Sequence, residues 1–183
     1  MKLDNYNNLL ELFFDQYKKQ DKNNIFLINL GNPKHKLSWE KTYLLVNHLS
    51  NQISKDIKLG DRCVLISENR PEWLISDLAI MLAGGISVPS YTTYTTKDYE
   101  YIIKDCEPSV LIVSNNTQFN KIKDILDYKK IKKIISFDRL ENLKFQNYLC
   151  IEDIINKKDG FENFDSEISL KRSDPACIIY TSG

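Results

Sequence analysis

Short, continuous apolar runs alternate with helix-length segments through the middle of the chain, and this alternation most constrains its fold. The runs "RCVLIS" at 62–67, "ISVP" at 86–89, "SVLIVS" at 109–114 and "IKKIISF" at 131–137 are strand-length. Strands that are apolar at every position suit a sheet covered on both faces, as in parallel sheets. The order strand, helix, strand, helix, strand therefore predicts an α/β fold, a mostly parallel sheet with flanking helices and right-handed crossovers.

Signals for helix ends support the same order. Asn69 precedes Glu72 at capping-box spacing, and Pro71 falls in the first turn, where its missing N–H costs little. This pattern predicts a buried helix through "WLISDLAIMLA", which Gly84 and Gly85 end with a left-handed cap. The next helix is predicted to begin at a capping box made by Thr95 and Asp98.

The flanking regions are less regular. The first segment, "YNNLLELFFDQYKK", predicts an amphipathic helix that docks on the protein's own body. The segments 24–30 and 35–39 predict a hairpin, and Ser38 then caps a helix that runs to about Lys58. After the third apolar run, 117–130 predicts an amphipathic helix and 138–147 a surface loop.

Composition excludes several classes of function. The chain has 25 Lys and Arg residues and 25 Asp and Glu residues, so it has no excess of positive charge that would attract nucleic acid or an anionic membrane. The longest apolar stretch, near Leu78 to Ala83, is far short of the roughly 20 residues of a transmembrane helix. The N-terminus lacks the uninterrupted apolar core of a signal peptide. A cytoplasmic protein whose partner is a small molecule or another protein is expected.

Cysteine and histidine provide no metal or catalytic signal. Cys63, Cys106, Cys150 and Cys177 are widely separated, without C-x-x-C pairs or Cys/His ligand spacing, so no metal site is predicted. Cys63 and Cys177 lie within apolar runs, where a free thiol packs as a small hydrophobe. The two histidines occupy polar or helix-edge positions, and neither is a catalytic candidate.

The last ten residues, "DPACIIYTSG", carry the strongest chemical signal. Residues 176–180 predict a strand after an Asp-Pro break, followed by a turn of Thr181, Ser182 and Gly183. Backbone N–H groups in a tight glycine turn, together with hydroxyl groups, form a concave donor array that suits phosphate oxygens. The stretch is not a Walker A loop, because no Gly-x-x-x-x-Gly-Lys is present.

The same stretch, together with "GDRCVLISENRPEWLISDLAIMLAGGISVPSYTTYTT" and "EPSVLIVS", resembles the adenylate-forming acyl-CoA synthetase superfamily, with the closest likeness to long-chain fatty acid CoA ligases. The resemblance implies that Thr181, Ser182 and Gly183 contact the phosphates of ATP. It implies that residues 1–183 are part of the N-terminal AMP-binding (adenylation) domain, without the C-terminal domain. No catalytic residue is then expected within these residues.

The resemblance implies a two-step reaction, in which ATP activates a fatty acid as an acyl adenylate and CoA then displaces AMP to form a thioester. The implied cofactors of the full enzyme are ATP, Mg²⁺ and CoA, and the chain alone is expected to be inactive. Long-chain substrates partition into membranes, which is compatible with a peripheral membrane location of the parent enzyme. The alternatives are an enzyme that activates medium-chain or aryl acids, and a short interaction module without chemistry.

Overall fold

The computed structural model describes residues 6–155 and 169–181. Its main feature is a five-stranded sheet in the order β4-β3-β5-β6-β7, in which every neighbouring pair is parallel. The strands are β3 (Arg62–Ile66), β4 (Ile86–Ser90), β5 (Val110–Val113), β6 (Lys133–Ser136) and β7 (Tyr148–Cys150), and a separate antiparallel pair is formed by β1 (Ile25–Ile28) and β2 (Lys36–Ser38). The helices are α1 (Leu9–Lys19), α2 (Trp39–Ser54), α3 (Pro71–Leu82), α4 (Thr96–Cys106), α5 (Asn116–Asn120) and α6 (Ile151–Ile155). The predicted α/β class and parallel sheet are confirmed.

Helices cover both faces of the sheet, because successive residues of a strand point to opposite sides. On β3, Cys63 and Leu65 pack in the core formed with α2 and α3, whereas Val64 and Ile66 pack in a second core formed with α4. β5 and β6 divide their side chains between the same two cores. All of these strand residues are fully buried, which explains why the sequence shows continuous apolar runs here.

Most of the helix-end signals are confirmed. The Ser38 hydroxyl accepts from the Lys41 N–H at the start of α2, and Thr95 and Asp98 form the expected capping box on α4. Gly84 has a φ of +81°, the left-handed backbone expected after α3. α1 docks on the body through Leu10 and Phe13, as its apolar face predicts.

Four local predictions are wrong. Asn69 does not cap α3: Arg70 occupies the N-cap position without a side-chain cap, and Glu72 pairs with Arg70 instead. The segment 117–130 is helical only at its start, since α5 ends at Asn120 and turns follow. α2 ends at Ser54, short of the predicted end near Lys58; the loop predicted at 138–147 is present, and the short β7 and α6 follow it. Cys63 is buried as predicted, but Cys177 is exposed.

Candidate functional site at the carboxyl edge of the sheet

The segment 176–181 runs alongside β4 as an incomplete sixth strand. The Ala176 carbonyl accepts from the Ser87 N–H at 3.1 Å, and the Ile178 N–H donates to the Ser87 carbonyl at 2.9 Å. These bonds form a single parallel bridge between Ser87 and Cys177 rather than a regular strand. The predicted strand at 176–180 is therefore present as an extended edge segment, and it carries the chain towards the carboxyl edge of the sheet.

Side chains of this segment alternate between the two faces, as in a strand. Ile178 and Tyr180 pack against the core on the α4 side, whereas Cys177 and Ile179 line a cavity next to α3. Thr181, at the end of the segment, is exposed to solvent.

Tyrosines of the loop after β4 and of α4 hold the end of the segment. The Tyr94 hydroxyl donates to the Tyr180 carbonyl at 2.9 Å, and the Tyr180 hydroxyl donates to Asp105 Oδ2 at 2.5 Å. The Tyr101 ring meets the Tyr180 ring edge-on, with centroids 6.0 Å apart. Burial, and then the hydrogen bond to the Asp105 carboxylate, raise the pKa of Tyr180. These contacts fix the last backbone groups before the predicted phosphate turn.

A deeper tyrosine supports the loop itself. Tyr99 is fully buried, and its hydroxyl donates to the Tyr91 carbonyl at 2.7 Å. Burial, with a smaller contribution from the Glu68 charge, raises the pKa of Tyr99 to about 12. The Tyr94 ring lies edge-on between the rings of Tyr91 and Tyr99. The stretch "YTTYTTKDYEY" therefore acts as a rigid support, a role that sequence reasoning missed; its signal was the repeated tyrosine beside an apolar strand.

Polar groups collect at the carboxyl ends of β3 and β5, the part of an open parallel sheet where ligands commonly bind. Gln118 Nε2 donates to Glu68 Oε1 at 2.9 Å. Burial acts to raise the pKa of the Glu68 carboxyl, but the nearby polar groups of Ser114, the Glu68 backbone, Gln118 and Asn115 outweigh it and hold the pKa below its ordinary value. Glu68 is thus held as an anion at this edge.

A second cluster at the same edge is an ion-pair network centred on Arg70. The Arg70 guanidinium donates to both carboxylate oxygens of Asp138, at 2.9 and 3.0 Å, and to both oxygens of Glu72, at 3.2 and 3.3 Å. Burial alone would lower the pKa of Arg70, but Asp138 and Glu72 more than offset it and raise the pKa. The network ties the start of α3 to the end of β6, which is structural support rather than an open binding group.

Of the three residues that the sequence predicts to contact phosphate, Thr181 is the one within the described residues. Thr181 lies at the carboxyl edge with an exposed side chain, next to the tyrosine support. Ser182 and Gly183 lie outside the described residues. An exposed hydroxyl at the end of a fixed segment fits contact with a phosphate oxygen. Among residues 6–155 and 169–181, no group of three His, Cys, Asp or Glu side chains could hold a metal ion.

No helix in the described part of the chain is both long and apolar enough to cross a bilayer.

Comparison with known proteins places this geometry in a family. The family model for AMP-binding enzyme matches residues 13–183. The long-chain-fatty-acid–CoA ligase ACSBG1 of Rattus norvegicus is 27% identical over 99% of this chain, which covers 24% of that protein. ACSBG2 of Xenopus laevis, also named a long-chain-fatty-acid–CoA ligase, is 30% identical over 84% of this chain and is covered over 21% of its length.

Solved structures share the fold at lower identity. The anthranilate CoA ligase AuaEII, in complex with anthranoyl-AMP, has a TM-score of 0.77 and 22% identity, over 100% of this chain and 34% of that one. The R395G mutant of coronafacic acid ligase from Pectobacterium brasiliense has a TM-score of 0.76 and 20% identity, over 94% of this chain and 33% of that one. The chain spans about a quarter of the curated relatives and a third of these structures. Since the family model matches nearly the whole chain, this protein belongs to the AMP-binding enzyme family.

Proposed function

We propose that this chain is the N-terminal part of the adenylation domain of an AMP-forming long-chain fatty acid–CoA ligase. The proposal is supported by the family match and by curated relatives that are named long-chain-fatty-acid–CoA ligases. The structural observation that carries it is the edge segment 176–181, which leaves Thr181 exposed after a Tyr180 backbone held by Tyr94.

Thr181, Ser182 and Gly183 form the start of the phosphate contact in this proposal. The Thr181 hydroxyl donates to a phosphate oxygen, and Gly183 lets the backbone approach closely. A fixed donor is worth more than a mobile one, because it requires no reorganisation as charge moves onto the leaving pyrophosphate. Tyr94, Tyr101 and Asp105 supply that fixation through Tyr180.

The cofactors proposed for the whole enzyme are ATP, Mg²⁺ and CoA. Bound Mg²⁺ would neutralise charge on the phosphates. No magnesium ligand is assigned among the described residues, since they contain no suitable cluster. The substrates are then a fatty acid, ATP and CoA, in the cytoplasm or at a membrane surface that supplies the acid.

The proposal is tested by purifying the full gene product and measuring acyl-CoA formation with palmitate, octanoate, benzoate and anthranilate. Palmitate is expected to give the highest kcat/KM. A preference for an aryl or medium-chain acid would contradict the long-chain assignment and favour the alternative acid-activating enzyme. Absence of activity with every acid would favour a non-catalytic module.

The 183-residue chain alone is expected to form no palmitoyl-CoA from ATP, CoA and palmitate. Formation of the thioester above a control without protein would overturn this part of the proposal.

A further inference from the structure

The cavity that Cys177 and Ile179 line lies between the start of α1, one side of α3 and the segment 170–179. Its volume is about 320 Å³. The walls are mainly apolar and include Leu10, Trp73, Met81, Pro89 and Ile179. This size and lining are typical of a pocket for a small molecule, in which a few polar groups orient the ligand.

Asp77 is the polar group of α3 that lines this cavity. Burial raises the pKa of its carboxyl, and the nearby Ser87 hydroxyl opposes that shift only in part. The described residues form no ion pair with Asp77, whereas the buried Glu72 on the same helix is paired with Arg70. The buried Ser87 hydroxyl has no hydrogen-bond partner of normal geometry among the described residues. A partly buried carboxylate in an apolar wall, without a paired cation, favours a ligand that supplies positive charge and hydrogen-bond donors.

Two cationic residues at the cavity are directed to other contacts. The Arg172 guanidinium donates to the Tyr6 carbonyl at 2.7 Å, and both Arg172 and Lys171 are solvent-exposed. The Asp174 carboxylate also lines the cavity and accepts from the Lys171 N–H at 2.7 Å. The entrance of the cavity therefore carries both positive and negative side chains, whereas the inner wall carries the Asp77 carboxylate among apolar side chains.

We propose that this pocket binds a small organic cation, a primary ammonium carried on a compact apolar body. The ammonium pairs with Asp77, and the apolar body packs between Trp73, Met81 and Ile179. This inference is independent of the proposed ligase activity: the cavity is lined by Cys177 and Ile179, whereas Ile178 and Tyr180 face the opposite core.

Cys177 provides a direct reporter of occupancy. It lines the cavity and is the one exposed cysteine, because Cys63, Cys106 and Cys150 are buried. The 183-residue chain would be treated with iodoacetamide at pH 7 in the presence of benzylammonium, benzyl alcohol or phenylacetate. Mass spectrometry would then measure the rate of Cys177 alkylation. We expect benzylammonium to slow alkylation at least fivefold at low millimolar concentration, with little protection from the neutral or anionic analogue. Equal protection by all three compounds, or protection by none, would overturn the proposal.

Asp77→Asn removes the charge at nearly constant shape and is expected to weaken protection by benzylammonium at least tenfold. The matched control is Glu152→Gln, which removes an exposed carboxylate on α6 and is expected to bind as the wild type does. Unchanged protection in folded Asp77→Asn protein would contradict the proposal. Circular dichroism checks folding, and if Asp77→Asn does not fold, the charge series on the wild-type chain decides the question.

Discussion

β5 and the edge segment 176–180 have similarly apolar sequences, but β5 lies in the middle of the sheet and the segment lies at its edge. β5 reads "VLIV", pairs with β3 and β6, and is fully buried. The segment 176–180 reads "ACIIY", makes one bridge to β4, and leaves Ile179 59% exposed. The comparison teaches that apolar content alone does not make a regular strand: β5 is paired on both edges and buried on both faces, whereas the edge segment is largely exposed and depends on individual side-chain contacts.

The sharpest test of this contrast is a pair of substitutions that each shorten one isoleucine side chain. Ile112→Ala on β5 should lower the free energy of unfolding by about 4 kcal/mol, because it opens a cavity in a fully buried core. Ile179→Ala on the edge segment should cost about 0.5 kcal/mol or less, because the side chain is mostly solvated. Urea denaturation measures both. Similar losses for the two variants would break the comparison.

Substitutions in the ion-pair network at Arg70 test whether burial also determines how much an ion pair stabilises the fold. Arg70→Met should cost about 2 kcal/mol, since it leaves Glu72 buried without its cation. The control is Arg139→Met, which breaks an exposed pair with Asp153 and should cost well under about 1 kcal/mol. A loss for Arg139→Met as large as that for Arg70→Met would show that burial does not decide the value of these pairs.

Tyr94→Phe tests the claim that individual contacts hold the edge segment. The variant loses the hydrogen bond to the Tyr180 carbonyl, worth about 1 kcal/mol locally. Amide exchange at Ile178 should therefore speed up about fivefold, while exchange at Ile112 stays unchanged. Tyr128→Phe, which removes an exposed hydroxyl bonded to the Lys123 carbonyl, serves as the control. Unchanged exchange at Ile178 would argue against the tyrosine support.

The smallest expected effect is a pH dependence at Tyr99. Its pKa is raised from 10.0 to about 12 in the folded protein, so its contribution is complete below pH 10 and is lost as the pH rises toward 12. Wild-type protein should exceed Tyr99→Phe in stability by about 1 kcal/mol at pH 8, owing to the hydrogen bond to Tyr91. That advantage should shrink by roughly 1 kcal/mol at pH 11, measured by urea denaturation. A constant difference across this range would contradict the burial of Tyr99.

Sequence patterns predicted the parts of the fold that depend on local chemistry. Continuous apolar runs located β3, β4, β5 and β6, and glycine and capping signals located the end of α3 and the start of α4. These signals succeed because burial on two faces and helix capping both leave a residue-level pattern.

The errors share a physical cause, which is competition from contacts distant in sequence. Glu72 has capping-box spacing to Asn69, but its carboxylate pairs instead with the Arg70 guanidinium, which also binds Asp138 in the loop after β6. The segment 176–180 has a strand's apolar content, yet three of its five residues are exposed and one bridge ties it to β4. The tyrosine support was missed because its partners, Tyr94 and Tyr180, are separated by 86 residues. Of the predicted phosphate contact, Thr181 was placed at an accessible edge, and its role there stays a proposal.

The most direct test of the central claim is acid-dependent exchange of pyrophosphate into ATP by the full gene product, compared among wild type, Thr181→Ala and Thr181→Ser. The account predicts palmitate-dependent exchange in the wild type, a loss of about tenfold or more in kcat/KM for ATP in Thr181→Ala, and near wild-type values in Thr181→Ser, which keeps the hydroxyl. Exchange that does not depend on an acid, or a Thr181→Ala variant indistinguishable from the wild type, would contradict it.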